Sequence, residues 1–149
     1  MNFKRVFLIF LILVAGVASL SIVSADSSVN YKGADFNIPD GFSENKSFEQ
    51  DGVDISFNNQ IPAKMSAKSY VNGDKMIVLG TFEFNSSDDA KKTFDFSKNF
   101  ANGTKTISGK DGIYSLDGDG FFGFNYLDGK TIRVVSASDE SLVEKVIPK

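Results

Sequence analysis

Apolar residues recur along this chain with three spacings, and each spacing predicts a different element. The clearest is a period of two over Gly112–Ser138, GIYSLDGDGFFGFNYLDGKTIRVVSAS. Ile113–Leu116, Phe121–Leu127 and Thr131–Ala137 are rich in β-branched and aromatic residues. Asp117-Gly118-Asp119-Gly120 and Asp128-Gly129 separate them. Asp-Gly between apolar runs favours a tight hairpin turn, because glycine supplies the positive φ such turns need. Three consecutive strands follow. Val53–Asn58 alternates in the same way, with Val53, Ile55 and Phe57 expected inward and Asp54, Ser56 and Asn58 outward. Lys64–Val71 and Lys75–Phe84 flank Asn72-Gly73-Asp74 as a further hairpin, with Met76, Val78, Phe82 and Phe84 on one face and Gly80 among them. Ala34–Pro39 and Lys105–Ser108 read as short strands. Asp26–Gly33 reads as a loose polar leader, and Ser43–Gln50 offers Phe48 alone to a core.

Between the hairpins the period lengthens to that of a helix. Over Ser86–Ala101, Ala90, Thr93, Phe94, Ser97, Phe100 and Ala101 form an inward stripe that Phe96 widens. Ser86 stands as the N-cap, Asp88 and Asp89 suit the positive end of the helix dipole, and Asn102-Gly103 ends the helix. A last short helix is expected over Asp139–Ile147, capped by Ser138 and stopped by Pro148. Connections are short. The expected fold class is therefore α+β: a mostly antiparallel sheet with one long helix and a short C-terminal helix packed on one of its faces. Residues 26–149 form a single domain of about 124 residues, large enough to fold without disulfides.

The third pattern is a nearly continuous apolar run. In Met1–Ala25, Lys4 and Arg5 precede an apolar run, Val6–Val23, interrupted by Gly16, Ser19 and Ser21. Val23-Ser24-Ala25 then places small residues just before a polar stretch. This is the layout of a signal peptide with its cleavage site. An uncleaved N-terminal anchor is the alternative, since the run is near the ~18-residue limit for spanning a bilayer. The cleavage site favours removal. Either way, residues 26–149 are expected outside the cytoplasm, in the extracellular space or on the outer face of the membrane.

Composition narrows the chemistry. The chain has no cysteine and no histidine, which excludes thiol nucleophiles, thiolate metal sites and His-based acid–base catalysis. Removing Lys4 and Arg5 from its 16 basic residues leaves 14 against 19 acidic ones. An acidic domain whose one arginine is Arg133 lacks the basic face that nucleic-acid binding requires.

Two stretches resemble a known group. Asp35-Phe36-Asn37-Ile38-Pro39-Asp40-Gly41-Phe42 resembles the opening of PsbP/Mog1-like domains, with Phe42 where Trp is common. The closing order of aromatic strand, Asp-Gly turn, Thr131–Ala137 strand and Ser138–Ile147 helix is similar to the way those domains end. The resemblance implies an antiparallel sheet with packed helices, and a protein that binds or assembles rather than catalyses. The Lys- and Asn-rich composition also resembles small exported proteins of methanogenic archaea.

Candidate sites are few. Phe121, Phe122, Phe124 and Tyr126 form the densest aromatic cluster and a candidate contact surface. Asn45, Asn85 and Asn102 each open an Asn-x-Ser/Thr sequon, the acceptor pattern for N-glycosylation. Asp117-Gly118-Asp119-Gly120 carries the oxygens a Ca²⁺ loop would use, but a hairpin turn requires the same residues. Ser43-Glu44-Asn45-Lys46 matches the S-x-x-K spacing by chance, because its companion motifs are missing. Asp54 and Glu83 are an acid pair that no spacing argument singles out.

No catalytic or cofactor-binding residues emerge, and no metal site. The expected function is a non-enzymatic exported or cell-surface binding or assembly domain. Its partner is expected to be a protein or envelope component, with membrane contact limited to residues 1–25 if these are retained. The alternative is an extracytoplasmic carrier or sensor that holds an apolar ligand between helix and sheet.

Overall fold

A computed structural model describes residues Ser21–Ile22 and 27–149. The expected leader and its Val23-Ser24-Ala25 site lie outside the described residues, apart from Ser21–Ile22. Among the described residues, no helix is long and apolar enough to cross a membrane.

The fold is α+β with antiparallel strand pairing. Ten strands are described: β1 (Ser21–Ile22), β2 (Ser27–Tyr31), β3 (Ala34–Ile38), β4 (Ser43–Phe57), β5 (Ile61–Asn72), β6 (Lys75–Phe84), β7 (Gly103–Ile107), β8 (Lys110–Leu116), β9 (Phe122–Asp128) and β10 (Thr131–Ala137). Helix α1 (Ser87–Ser97) continues into a 3-10 turn, Lys98–Phe100, and helix α2 (Glu140–Val146) closes the chain. Eight strands form one sheet in the order β1-β4-β5-β6-β10-β9-β8-β7, and β2 and β3 form a separate hairpin. Two meanders, β4–β6 and β7–β10, thus meet where β10 pairs with β6, and α1 connects them.

The two helices lie on opposite faces of the sheet, which corrects the one-face expectation. Ile77, Leu79, Phe124 and Val135 belong to one core with Leu142, Val143 and Val146 of α2 and with Phe36 and Ile38 of the β2–β3 hairpin. We call this side face A. Phe82, Phe84, Ile132 and Val134 belong to a second core with Ala90 and Phe94 of α1, on face B. The reason lies in β6 and β10. Both are central strands, and runs such as Ile77-Val78-Leu79 and Val134-Val135 bury both faces.

Other details depart from the sequence reading. The presumed loose leader contains strand β2, which pairs with β3 from Ser27 opposite Ile38 to Tyr31 opposite Ala34. Ser86 caps α1 as expected, accepting a hydrogen bond from the Asp89 backbone N–H. Asp139, not Ser138, caps α2 by accepting from the Leu142 N–H. Ser138 instead accepts from the Met76 N–H at 2.7 Å. Phe96 and Phe100 are 38% and 46% exposed, not inward, and stack edge-on with ring centroids 5.2 Å apart. Their spacing brings them together on the outer side of the helix end.

Candidate interaction surface

Strand β9 turns Phe122, Phe124 and Tyr126 toward face A, and all three are buried there. Tyr114 of β8 stacks on Phe122, with ring centroids 5.6 Å apart. Gly112 stands opposite Tyr126. A Cβ at Gly112 would lie 2.4 Å from the Asn125 carbonyl oxygen and 2.5 Å from the Phe124 ring. Burial pushes the Tyr126 hydroxyl up to about 12. The contact-surface reading is thereby corrected for Phe122, Phe124 and Tyr126, which are core. Phe121 is half-buried in the preceding turn, where its N–H donates to Asp117 Oδ1 at 2.8 Å. The same carboxylate oxygen accepts from the Asp119 N–H, so it organises the turn from within.

The sequons sit at element ends. Asn85 is exposed immediately before the α1 cap, and Asn102 is exposed after the 3-10 turn, its Oδ1 accepting from the Leu116 N–H. Asn45 is half-buried in β4, with Oδ1 accepting from the Ser47 N–H. Asp54 and Glu83 are held apart by Lys64, which stands between them in register and forms an ion pair with Asp54 at 2.9 Å. Both carboxylates raise the Lys64 pKa, the hydrogen bond to Asp54 first. Ser43 and Lys46 lie on a strand, which sends positions three apart to opposite faces. Where the carrier reading needs room between helix and sheet, α1 brings Ala90, Thr93, Phe94 and Ser97 down to buried positions.

The feature that stands out is the outer edge of β4. This strand is 15 residues long and lies next to the end of the sheet. Among the described residues its outer side is paired only by β1, at Ser43 and Glu44. Its inner side pairs with β5 in three sections. From Asn45 to Gln50 the strand advances five residues while β5 advances two, from Ser69 to Ala67. Asp51 and Gly52 then stand against Ser66 alone, and Gly52 has φ +62°. This is a bulge with glycine in the left-handed region. Beyond it, Val53 to Phe57 pair regularly with Met65 to Ile61.

Polar contacts pin the bulge. The Gly52 N–H donates to the buried Ser66 Oγ at 2.9 Å, and Ser66 donates on to Asp51 Oδ1 at 3.2 Å. Lys32, from the β2–β3 turn, forms an ion pair with Asp51. The hydrogen bond from Lys32 holds the Asp51 carboxyl below its usual range. The turn is fixed in its own right by Arg133, which is buried. Arg133 donates to the carbonyl oxygens of Tyr31 and Lys32 and forms an ion pair with Asp128 at 2.6 Å.

After this anchored section comes an apolar stripe at the edge. Val53 is 42% exposed and Ile55 half-buried, while Asp54 and Ser56 face outward on face A. The sequence reading expected Val53 inward. The period of two is correct, but face B is covered beneath Ile55 and Phe57 and not as far out as Val53. The overlooked signal was Asp51-Gly52, a turn dipeptide inside a strand, which marks a bulge.

No protein-family model matches the chain, and no curated protein or solved structure matches it either.

Proposed function

We propose that this chain is an exported, non-enzymatic binding or assembly domain that works through the outer edge of β4. The observation that carries the reading is the strand itself. Past Glu44 it presents a long edge that no described strand pairs, with an exposed valine on the regular section. Such an edge offers backbone donors and acceptors to an incoming strand, and alternate side chains give the contact its specificity. The resemblance of Asp35–Phe42 to PsbP/Mog1-like openings points toward binding as well. The signal-like pattern of Met1–Ala25 supports export, which places protein and envelope components among the available partners.

Amide hydrogen exchange tests the reading. In dilute protein, the β4 amides that face away from β5 exchange fast, while those paired with β5 are protected. Adding the native partner or the host's envelope fraction slows the outward set between Lys46 and Phe57. Full protection of the outward amides in the dilute protein, or no change on adding envelope material, overturns the reading.

A further inference from the structure

We infer that Asn102 is a glycan attachment site, and that the exposed ring of Phe100 is the platform on which its first sugar rests. The inference rests on the export part of the proposed function and not on the β4 edge, since the sequon is an acceptor in secreted chains.

The chain leaves the 3-10 turn on a strict alternation. Phe100, Asn102 and Thr104 are exposed, and Ala101 and Gly103 between them are half-buried. Ala101 is extended, at φ −81° and ψ 158°, so the residues on either side of it send their side chains the same way. Strand β7 carries the alternation on through Thr104. The half-buried pair belongs to the fold. Ala101 packs against the face B core, and a Cβ at Gly103 would lie 3.0 Å from the Tyr114 ring. The exposed three are a ring, an amide and a hydroxyl, in the order Phe-x-Asn-x-Thr. Asn with Thr two positions on is the acceptor pattern for N-glycosylation. Phe100 adds a surface beside it, 46% exposed and braced edge-on by Phe96 with ring centroids 5.2 Å apart. A pyranose has an apolar C–H face, which gains when it is laid on an aromatic ring and taken out of water.

Asn102 can carry a sugar without giving up its part in the fold. Its Oδ1 accepts from the Leu116 N–H at 2.8 Å, whereas the sugar is carried by Nδ2. Nδ2 attacks the anomeric carbon of a lipid-linked glycosyl phosphate. The new C–N bond replaces the C–O bond to phosphate, which leaves with the lipid, and one Nδ2 proton is released. The product is still an amide, so its carbonyl keeps the Leu116 hydrogen bond. The other two sequons lack this setting. Asn45 is half-buried in a strand and paired with Ser69. Asn85 is exposed, but Ser87 already opens α1. Two residues before them stand Ser43 and Glu83, not rings.

The test uses the full-length chain expressed in its native host and recovered from the medium and the membrane fraction. Mass spectrometry of the peptide that bears Asn102 finds saccharide mass increments in the wild type and in Thr104→Ser, which keeps the hydroxyl, and none in Thr104→Ala. Both variants alter an exposed side chain and leave the cores intact. Phe100→Ala, made in the glycosylated chain and again in the Thr104→Ala background, reads the ring. Its thermal midpoint falls about twice as far in the glycosylated chain, because only there does the ring lose a sugar as well as Phe96. Equal losses in the two backgrounds overturn the assignment of Phe100 as the platform. An exported chain with Asn102 bare, or with sugar only at Asn45 or Asn85, overturns the inference and leaves the export reading standing. A chain found only in the cytoplasm with Met1–Ala25 intact defeats the export reading and the inference together.

Discussion

The sheet has two ends, and they are finished in different ways. At the β7 end the edge strand is five residues long. Its central Lys105 forms ion pairs with Glu140 and Glu144 of α2, and Thr106 donates to Asp111 of β8 at 2.6 Å. Ser108, just beyond the strand, donates to the Ile147 carbonyl at 2.9 Å. A short strand tied to a helix by charge offers little to an incoming chain. The β4 end is three times as long, and a bulge and an ion pair guard its middle, not its tip. Shortness and cover close one edge, whereas a bulge interrupts the other and leaves Val53–Phe57 regular beyond it. The β7 end is closed by cover and ion pairs, and the β4 end leaves Val53–Phe57 with no described strand beyond it.

That contrast predicts that substitutions toward β7 act on folding. Phe124 is fully buried, 0% exposed, under Tyr114 and Gly112. Phe124→Ala destabilises by ~3–5 kcal/mol, the range for removing a core aromatic ring. Urea unfolding measures it, and a loss below ~1 kcal/mol would remove this half of the sheet from the core. Gly112→Ala comes next, at ~1–3 kcal/mol, because backbone at 2.4 Å cannot yield to a new methyl as a flexible side chain does. The double variant Gly112→Ala/Phe124→Leu should recover part of the loss, since the ring is half of the obstruction; no recovery would place the whole clash on the Asn125 carbonyl.

The same contrast explains what was legible in the sequence. The β8–β10 part of the meander could be read strand by strand, because Asp-Gly stands at both its turns and its strands alternate; the β7–β8 turn is Ser108-Gly109, without that signal. The α1 cap was legible because Ser86 and Asp89 interact locally. What stayed hidden depended on neighbours far along the chain. Met76, whose N–H donates to the Ser138 hydroxyl, is 62 residues from it, so no local pattern could show that Ser138 is engaged and Asp139 is the cap. For Phe122, Phe124 and Tyr126 the sequence favours core for each ring taken singly, but what covers them emerges only with the β2–β3 hairpin and α2 in place. That hairpin was itself missed, because Ser27–Tyr31 has too few apolar residues to announce a strand and is held by its pairing to β3 and by Arg133. The candidate surface was the least legible part. A strand edge is defined by which neighbour is absent, and single-strand periodicity carries no information about that.

A smaller effect is expected at the bulge, where the guard on the β4 end is electrostatic. Asp51 has a lowered pKa in the folded chain, caused first by the Lys32 hydrogen bond. Its contribution to stability is therefore complete above the unfolded carboxylate pKa near ~4 and is lost as pH falls through the lower folded value. A carboxyl-carbon NMR titration should place Asp51 below ordinary aspartates, and Lys32→Ala should bring it back toward them. An unchanged titration in that variant would mean that Ser66, not Lys32, sets the shift, and the hairpin would no longer count as a guard on this edge.

The smallest effect on stability is expected at the tip of the same edge. Val53 and Met65 are register partners on adjacent strands, yet Val53 is 42% exposed and Met65 9%. Val53→Lys should change the unfolding free energy by no more than ~0.5 kcal/mol, as surface substitutions do. A lysine stem can lie along the stripe with its ammonium in water, so the folded monomer loses little. The charge acts when a strand approaches, because it must then be desolvated against the apolar stripe. The substitution thus separates the two ends of the sheet as no core variant can: it is near-silent in unfolding at β4, whereas its counterpart Ile107→Lys at the buried position of β7 acts on unfolding. A Val53→Lys loss above ~2 kcal/mol would show that the valine is already committed to the fold, and the distinction between a closed and an open end would fall with it.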